Sequence, residues 1–476
     1  MEGPEHMNAS TLPPPLDLTG KRVTVVGLAR SGAAAARLLL QLGAKVSVTD
    51  AADSPDLRQA AAGLRKQGVT VEVGGHGQRS FADAELIVLS PGVPHTLAPV
   101  STARKAGIPV WGELELAARR VDRPMVAVSG TNGKTTVTSM IGKMLERSGK
   151  SVFVGGNIGN PLSEYVMSGK FVDVVVVEVS SFQLDTIETF RPTVGVLLNI
   201  TADHLDRYDD FADYAASKAR LFSGQRAEDT AVLNADDSAV RRLAGRIRAT
   251  VRFYGRKAAH GDESRPSAEL DGRKISLQAP DGGWETYDLS QVGFAGEHNM
   301  ENACAAVLAA RCAGGIAEGI QEALIRFATP DHRMQLVAEI RGIRCYNDSK
   351  ATNVDAVQRA LDSFTAPLVL LMGGRDKGGD FHRLRNRVGM VVKRLILFGE
   401  AAGTLAAALG DMVESETVNT LAEAVHRAMA TAEPGDVVLM SPGCASFDAF
   451  SSYAERGEAF CEELRRFQTS EGRADA

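Results

Sequence analysis

The feature that most constrains the fold is a unit that recurs along the chain. A short apolar, β-branched run leads into Gly or Ser/Thr, and an amphipathic helix follows. KRVTVVGLARSGAAAARLLLQLG shows it at 21–43, and MVAVSGTNGKTTVTSMIGKMLERSG shows it again at 125–149. KVSVTD (45–50) and ELIVLSPG (85–92) extend the first unit; DVVVVEVSS (173–181), TVGVLLNI (193–200) and TAVLNADD (230–237) extend the second. A third series holds IRCYNDSKATNVDAVQRAL, PLVLLMGGRDKGG, RLILFGE and VVLMSPGCAS. Runs this apolar belong to strands covered on both faces, and the alternating helices supply the cover, so the strands form parallel sheets.

At 476 residues the chain exceeds one core. Three α/β domains are expected: a Rossmann-like domain at 17–111, a central P-loop ATPase-like parallel-sheet domain at 112–329, and a Rossmann-like C-terminal domain at 330–476. Residues 1–16 are polar and Pro-rich and are expected to be a flexible tail. Residues 255–290 are polar and weakly strand-like, as in a peripheral hairpin region. The net charge of −6 lacks the basic footprint of a nucleic-acid binder. No apolar run reaches membrane-spanning length, so no membrane insertion is expected. The five cysteines form no C-x-x-C pair, which fits a reducing cytoplasm without a disulfide framework.

VSGTNGKTT (128–136) raises the first chemical question. A strict phosphate loop reads G-x-x-x-x-G-K-[ST], and here Val128 stands where its first Gly belongs. The context is nevertheless right, because an apolar strand precedes the segment and a helix follows it. Gly130 and Gly133 let the backbone approach an anion at the helix N-terminus. Lys134 can reach phosphates and the Thr135 hydroxyl can take Mg²⁺. A plain Gly-rich turn capped by Thr is the alternative, and it leaves Lys134 unexplained. Glu178 ends a fully apolar strand, where a carboxylate needs a partner or a metal; a solvent-facing strand end is the bland reading. Asp203, His204 and Asp206 follow another strand end, the side of an open α/β sheet where ligands bind. His204 is there a metal ligand or acid/base, or else a capping or surface histidine.

GTNGKTT, EVSSFQL, NITADHLDRY and YAASKARLF, in that order, resemble the Mur ligases, ATP-dependent amide-forming enzymes of peptidoglycan precursor synthesis. In that family the shortened loop is the normal form. The resemblance covers nearly the whole chain after about residue 17. It implies ATP binding by Gly130, Thr131, Asn132, Gly133, Lys134, Thr135 and Thr136, by Asn299 and Asn302 near adenine, by Arg333, and by Asp348 at the ribose. It implies Mg²⁺ on Thr135 and Glu178, and a second Mg²⁺ on His204. Lys218 matches a lysine carbamylated in many members; without the family it reads as an ordinary helix lysine. Carbamylation needs a neutral amine, hence a site that disfavours its charge. Lys134, Glu178, His204 and Lys218 are then the catalytic set, with carbamylated Lys218 serving the metal.

GLARSG (27–32) and Asp50 alone suggest a dinucleotide site and an NAD-dependent oxidoreductase, a reading that leaves residues 128–220 unexplained. Together with SPG, GNIG, KATN, GGRDKGGDF and SPGCASFDAF, the chain is most similar to the members that add D-glutamate to UDP-N-acetylmuramoyl-L-alanine (UDP-MurNAc-L-Ala); L-alanine-adding members are the nearest rival. That similarity implies Arg30, Ser31 and Asp50 near the uridine, and Asn157 and His204 at the sugar-peptide portion. It implies Lys350, Thr352, Lys377, Ser446 and Tyr453 at D-glutamate. Tyr453 stands where the family pattern has Phe, and Arg30 where Leu is common. A monomer is expected, with flexible joints near 111–116 and 329–332 that let the third domain swing Arg333, Lys350 and Lys377 onto the site.

Overall fold

The computed structural model describes residues 17–77, 81–203, 207–257, 266–279, 282–292, 296–327, 331–365 and 367–471. The tail at 1–16, His204, Asp206 and the 329/330 boundary lie outside the described residues. The described residues form three sheets. The first holds β1 (Arg22–Val26), β2 (Lys45–Asp50), β3 (Thr70–Val73), β4 (Leu86–Leu89) and β5 (Val110–Gly112), in the order 3-2-1-4-5. All its pairings are parallel. Gly27 and Gly32 let the first helix, Arg30–Gln41, start tightly against β1; a Cβ on Gly32 would overlap the Gly27 carbonyl oxygen.

The second sheet holds β6 (Met125–Ser129), β7 (Val152–Gly156), β8 (Val174–Glu178), β9 (Val194–Leu197), β10 (Thr230–Asn234), β11 (Thr250–Arg256), β12 (Ala268–Asp271), β13 (Lys274–Gln278) and β14 (Trp284–Asp288). Its order is 14-13-12-11-10-9-6-8-7. The apolar strands pair in parallel, while β12, β13 and β14 form an antiparallel extension. This is the hairpin region expected at 255–290, and it makes the sheet mixed rather than wholly parallel.

The third sheet holds β15 (Gln335–Ile340), β16 (Ile343–Asn347), β17 (Leu368–Gly373), β18 (Val392–Phe398), β19 (Glu414–Thr417) and β20 (Val437–Gly443), ordered 15-16-20-17-18-19. Strand β15 is antiparallel to β16, a departure from the expected parallel sheet. Most of its residues are partly or fully exposed, so it lacks the continuous apolar signal of a covered strand.

The junction near 111–116 also differs from expectation. The short helix Glu113–Ala118 is buried from Glu113 through Ala117. Glu115, fully buried, accepts from the backbone N–H groups of Glu188 (2.9 Å), Thr189 (2.8 Å) and Phe190 (3.0 Å), from the Thr189 hydroxyl (2.7 Å) and from Arg119 Nε (2.8 Å). Trp111, Leu114 and Leu116 share one apolar cluster with Leu162, Leu184 and Phe190 of the central domain. This segment is anchored, not a free joint.

Candidate active site

The central sheet reverses its strand order at β6, and the phosphate-loop segment leaves β6 there, between the ends of β8 and β9. Register places Val128 beside Glu178, so the loop and that carboxylate are neighbours by construction. Gly130 and Gly133 have φ of 151° and 88°, values that favour glycine. Helix Lys134–Arg147 begins immediately after Gly133, with its N-terminus at the loop. Asn199, after β9, clamps the loop. Its Oδ1 accepts from Asn132 N (2.8 Å), its Nδ2 donates to Asn132 O (3.0 Å), and its carbonyl accepts from Thr131 N (2.9 Å).

Lys134 Nζ donates to the carbonyl oxygens of Gly130 and Thr131, both at 2.8 Å. Burial pushes its pKa down to about 8, partly opposed by Glu178 and Asp203. Lys218 Nζ is buried and donates to the same Gly130 oxygen at 2.9 Å. Burial, then the positive charge of Lys134, hold Lys218 well below the usual lysine range. The Thr135 hydroxyl donates to Glu178 at 2.7 Å, and Asn157 Nδ2 donates to the other Glu178 oxygen at 2.8 Å. A hydroxyl and a carboxylate thus converge at the loop. This hard oxygen donor set fits Mg²⁺, which is commonly held by one or two carboxylates together with phosphates. Among the described residues no group of three or more His, Cys, Asp or Glu converges as a metal cage.

The third domain closes over this loop. Strands β16, β20 and β17 are neighbours, and the segments after them carry Lys350, Ser446 and Lys377. Together the two domains line a cavity of about 430 Å³. Of the expected residues, Thr131, Asn132, Gly133, Lys134, Thr135, Asn157, Glu178, Asn299, Asn302, Arg333, Asp348, Lys350, Thr352, Lys377, Ser446 and Tyr453 line it. Gly130, Thr136 and Lys218 are not among the lining residues: the Gly130 oxygen accepts from Lys134, which lines the cavity, and from the buried Lys218, and Thr136 lies buried in the helix behind. Asp348 accepts from Met334 N (3.2 Å) and the Ser441 hydroxyl (2.9 Å), and burial raises its pKa to about 7. Arg333 Nε is buried and has no hydrogen-bond partner among the described residues. Its neighbours His332 and Met334 have φ of 63° and 43°, a left-handed backbone uncommon outside glycine. Lys350 Nζ stands 3.8 Å from the centroid of the Tyr453 ring, so the tyrosine keeps an aromatic face for a cation. Burial holds Lys350 at about 8.

Arg30, Ser31 and Asp50 belong to the first domain and do not line this cavity. Asp50 accepts from Leu28 N (2.7 Å) and Ala52 N (2.9 Å), which shapes the GLARSG loop. Arg30 reaches the central domain, bonding the Asn160 side chain and pairing with Glu164 at 3.6 Å.

Sequence reasoning missed several groups. His298 lines the cavity, its pKa driven down to about 4 by burial; it precedes Asn299, and that adjacency was the available signal. Asp203 was read from the sequence at a ligand-facing strand end, but not its partners: it accepts from Lys377 Nζ (3.0 Å) and Asn353 Nδ2 (2.8 Å) of the third domain. Arg456 is fully buried beneath the third domain's loops. It donates to the Ser349 hydroxyl (3.0 Å) and carbonyl (2.8 Å) and to the carbonyls of Cys444 (3.1 Å) and Gly373 (3.3 Å).

Comparison with known proteins places nearly the whole chain among relatives. The Mur ligase MurD-like N-terminal domain model matches residues 21–112, the Mur ligase middle domain 128–310, and the Mur ligase glutamate ligase domain 332–444. The chain is 48% identical over 447 residues to UDP-N-acetylmuramoylalanine–D-glutamate ligase of Desulfatibacillum aliphaticivorans, covering 94% of this chain and 98% of that protein. It is 46% identical over 454 residues to the ligase of the same name from Desulfosudis oleivorans, covering 95% and 98%. Solved structures share the fold at lower identity. A pseudomurein peptide ligase type C from Methanothermus fervidus aligns with TM-score 0.60 at 20% identity, covering 94% of this chain and 100% of that one. MurF ligase from Thermotoga maritima in complex with ADP aligns with TM-score 0.60 at 18% identity, covering 94% and 96%. Three models of one family follow one another in order along the chain, and near-full-length relatives approach half identity: the chain belongs to the Mur ligase family.

Proposed function

We propose that this chain is an ATP-dependent ligase that joins D-glutamate to UDP-MurNAc-L-Ala in peptidoglycan precursor synthesis. The observation that carries the reading is the single cavity in which Lys134, Thr135 and Glu178 of the central domain face Lys350, Lys377 and Ser446 of the third. The names of the near-full-length relatives support the same acceptor and amino acid. A phosphate-binding half and an amino-acid-binding half in one cavity suit activation followed by condensation.

The substrate carboxylate attacks the γ-phosphate of ATP, giving an acyl phosphate and ADP. Two anions must approach, so Lys134 and the loop amides offset their repulsion. Arg333, with its unpartnered Nε, adds a charge-assisted donor toward phosphate. The D-glutamate amine then attacks the acyl carbon, phosphate leaves, and the amine sheds a proton. Lys350, Lys377, Thr352 and Ser446 hold the two amino-acid carboxylates, with Tyr453 as the platform for Lys350. Shielding of the reacting groups between the two domains limits loss of the acyl phosphate to water.

Mg²⁺ bound at Thr135 and Glu178 would supply charge neutralisation at the phosphates. Lys218 meets the condition for carbamylation, since burial and Lys134 favour its neutral amine; His204 would complete the family's metal set. Arg30, Ser31 and Asp50 shape the first-domain loop that receives the uridine, and Asn157 and His204 meet the sugar-peptide portion. The protein works as a monomer in the cytoplasm; no described helix is long and apolar enough to cross a membrane.

The test is phosphate release with ATP, Mg²⁺ and UDP-MurNAc-L-Ala across a panel of D- and L-amino acids. Release that requires D-glutamate, with a product heavier by one glutamyl residue, is expected. Release only with L-alanine and UDP-MurNAc would replace the acceptor and amino acid, and a nicotinamide absorbance change would replace the reaction class.

A further inference from the structure

We propose that Asp355 is a positioning residue: it docks the third domain on the phosphate loop and thereby couples the amino-acid site to the nucleotide site. Asp355 lies in the first turn of helix Val354–Asp362 and is buried. Its Oδ2 accepts from Asn132 Nδ2 at 2.9 Å, across the domain boundary. Asn132 is well suited to be read in this way. Asn199 holds its backbone on both sides, so its side chain leaves the loop in a defined direction.

A bare carboxylate beside a phosphate loop would repel the phosphates. This one is compensated from its own domain: Arg359 Nε donates to Oδ2 at 3.0 Å, and Arg383 lies 3.9 Å from Oδ1. Arg359 also faces Glu301 at 3.8 Å, on helix Glu297–Cys312, which carries Asn299 and Asn302. The docking carboxylate is therefore tied to both the phosphate end and the far end of the nucleotide cavity.

The same helix turn makes a second crossing. Asn353 caps the helix through Ala356 N (2.8 Å) and donates to Asp203 at 2.8 Å. Lys350 and Thr352 sit immediately upstream in the chain. Displacing this turn from Asn132 moves the residues proposed for amino-acid binding away from the loop where the acyl phosphate would form.

The partition of the intermediate tests this, and that arm rests on the ligase reading above. In the intact enzyme, phosphate released per amide formed stays near one. Asp355→Ala should raise that ratio several-fold, because the acyl phosphate meets water before the amine, while KM for ATP moves less than about twofold. Asp355→Asn keeps an oxygen for Asn132 and should restore most of the coupling. A merely structural contact would lower both products together, so a ratio that stays at one in Asp355→Ala overturns the proposal. Equal uncoupling in Asp355→Asn overturns the assignment of the Asn132 bond as the cause.

A second arm needs no amino acid. Small-angle scattering with a saturating non-hydrolysable ATP analogue should give a larger radius of gyration for Asp355→Ala than for the unaltered chain. Equal radii overturn the proposal. Absence of any amide in the unaltered chain would defeat the D-glutamate reading alone, and scattering would still decide the docking role.

Discussion

Lys134 and Lys218 share one carbonyl oxygen, that of Gly130, and this shapes both side chains. Lys134 loses its proton near pH 8 when folded and near the ordinary lysine value when unfolded. Burying its ammonium therefore costs stability below about pH 8, and the cost is relieved as pH rises from there toward the unfolded value. Phosphate binding needs the ammonium, so ATP affinity should fall as pH rises through 8, on the order of tenfold across the next unit or more. Lys134→Arg should flatten that dependence in a calorimetric titration, because the guanidinium stays charged. Lys134→Met should lower turnover by about 10³-fold, the scale of losing a preorganised donor. For Lys218 the expected observation is a carbamate carbon signal after incubation with ¹³C-bicarbonate, absent in Lys218→Arg. A missing signal in the unaltered protein would remove carbamylation from the mechanism.

At the scale of elements, the phosphate loop was legible because its determinants are local: an apolar strand, two glycines, a lysine and a helix within about a dozen residues. Glu178 was legible for a similar reason, as a carboxylate ending an apolar strand. The roles of Lys350, Lys377 and Ser446 came only through resemblance, since nothing near them in sequence says that three strand ends are adjacent. Arg456 was not legible at all. It lies more than a hundred residues from Ser349 and reads as one more charge on a polar helix. In the fold its guanidinium joins the segments that carry Lys350, Lys377 and Ser446. Arg456→Met should cost about 2–4 kcal/mol, since it leaves several buried carbonyls unpaired. Denaturant unfolding would measure that loss, and KM for the amino acid should rise more than KM for ATP.

At the scale of the whole molecule, periodicity and strand runs were enough for three α/β domains, but not for how they meet. Contacts such as Asn132–Asp355 and Lys377–Asp203 join residues about 170 or more positions apart, and no local pattern encodes them. The expected joint near 111–116 failed for the same reason. The passage from one domain to the next suggested a flexible joint there, yet Glu115 finds its partners at 188–190. Glu115→Ala should lower stability by about 3–5 kcal/mol, because three backbone amides and Arg119 lose one buried acceptor. Unfolding monitored by tryptophan emission would read this directly, since Trp111 packs at the same place.

The anchoring of Glu115 also decides where this chain can be divided. Although Glu113–Ala118 follows directly from the last strand of the first sheet, it is the central domain that supplies its partners. A piece that begins at Gly112 keeps its carboxylate with the amides that need it. A piece that begins after Ala118 strands those amides inside an apolar layer, and a first-domain piece extended to Ala118 carries a buried charge with nowhere to go. The physical border of the first two units thus falls ahead of this helix, at the 111/112 border read from the sequence, and shuffling leading domains among relatives would have to cut there.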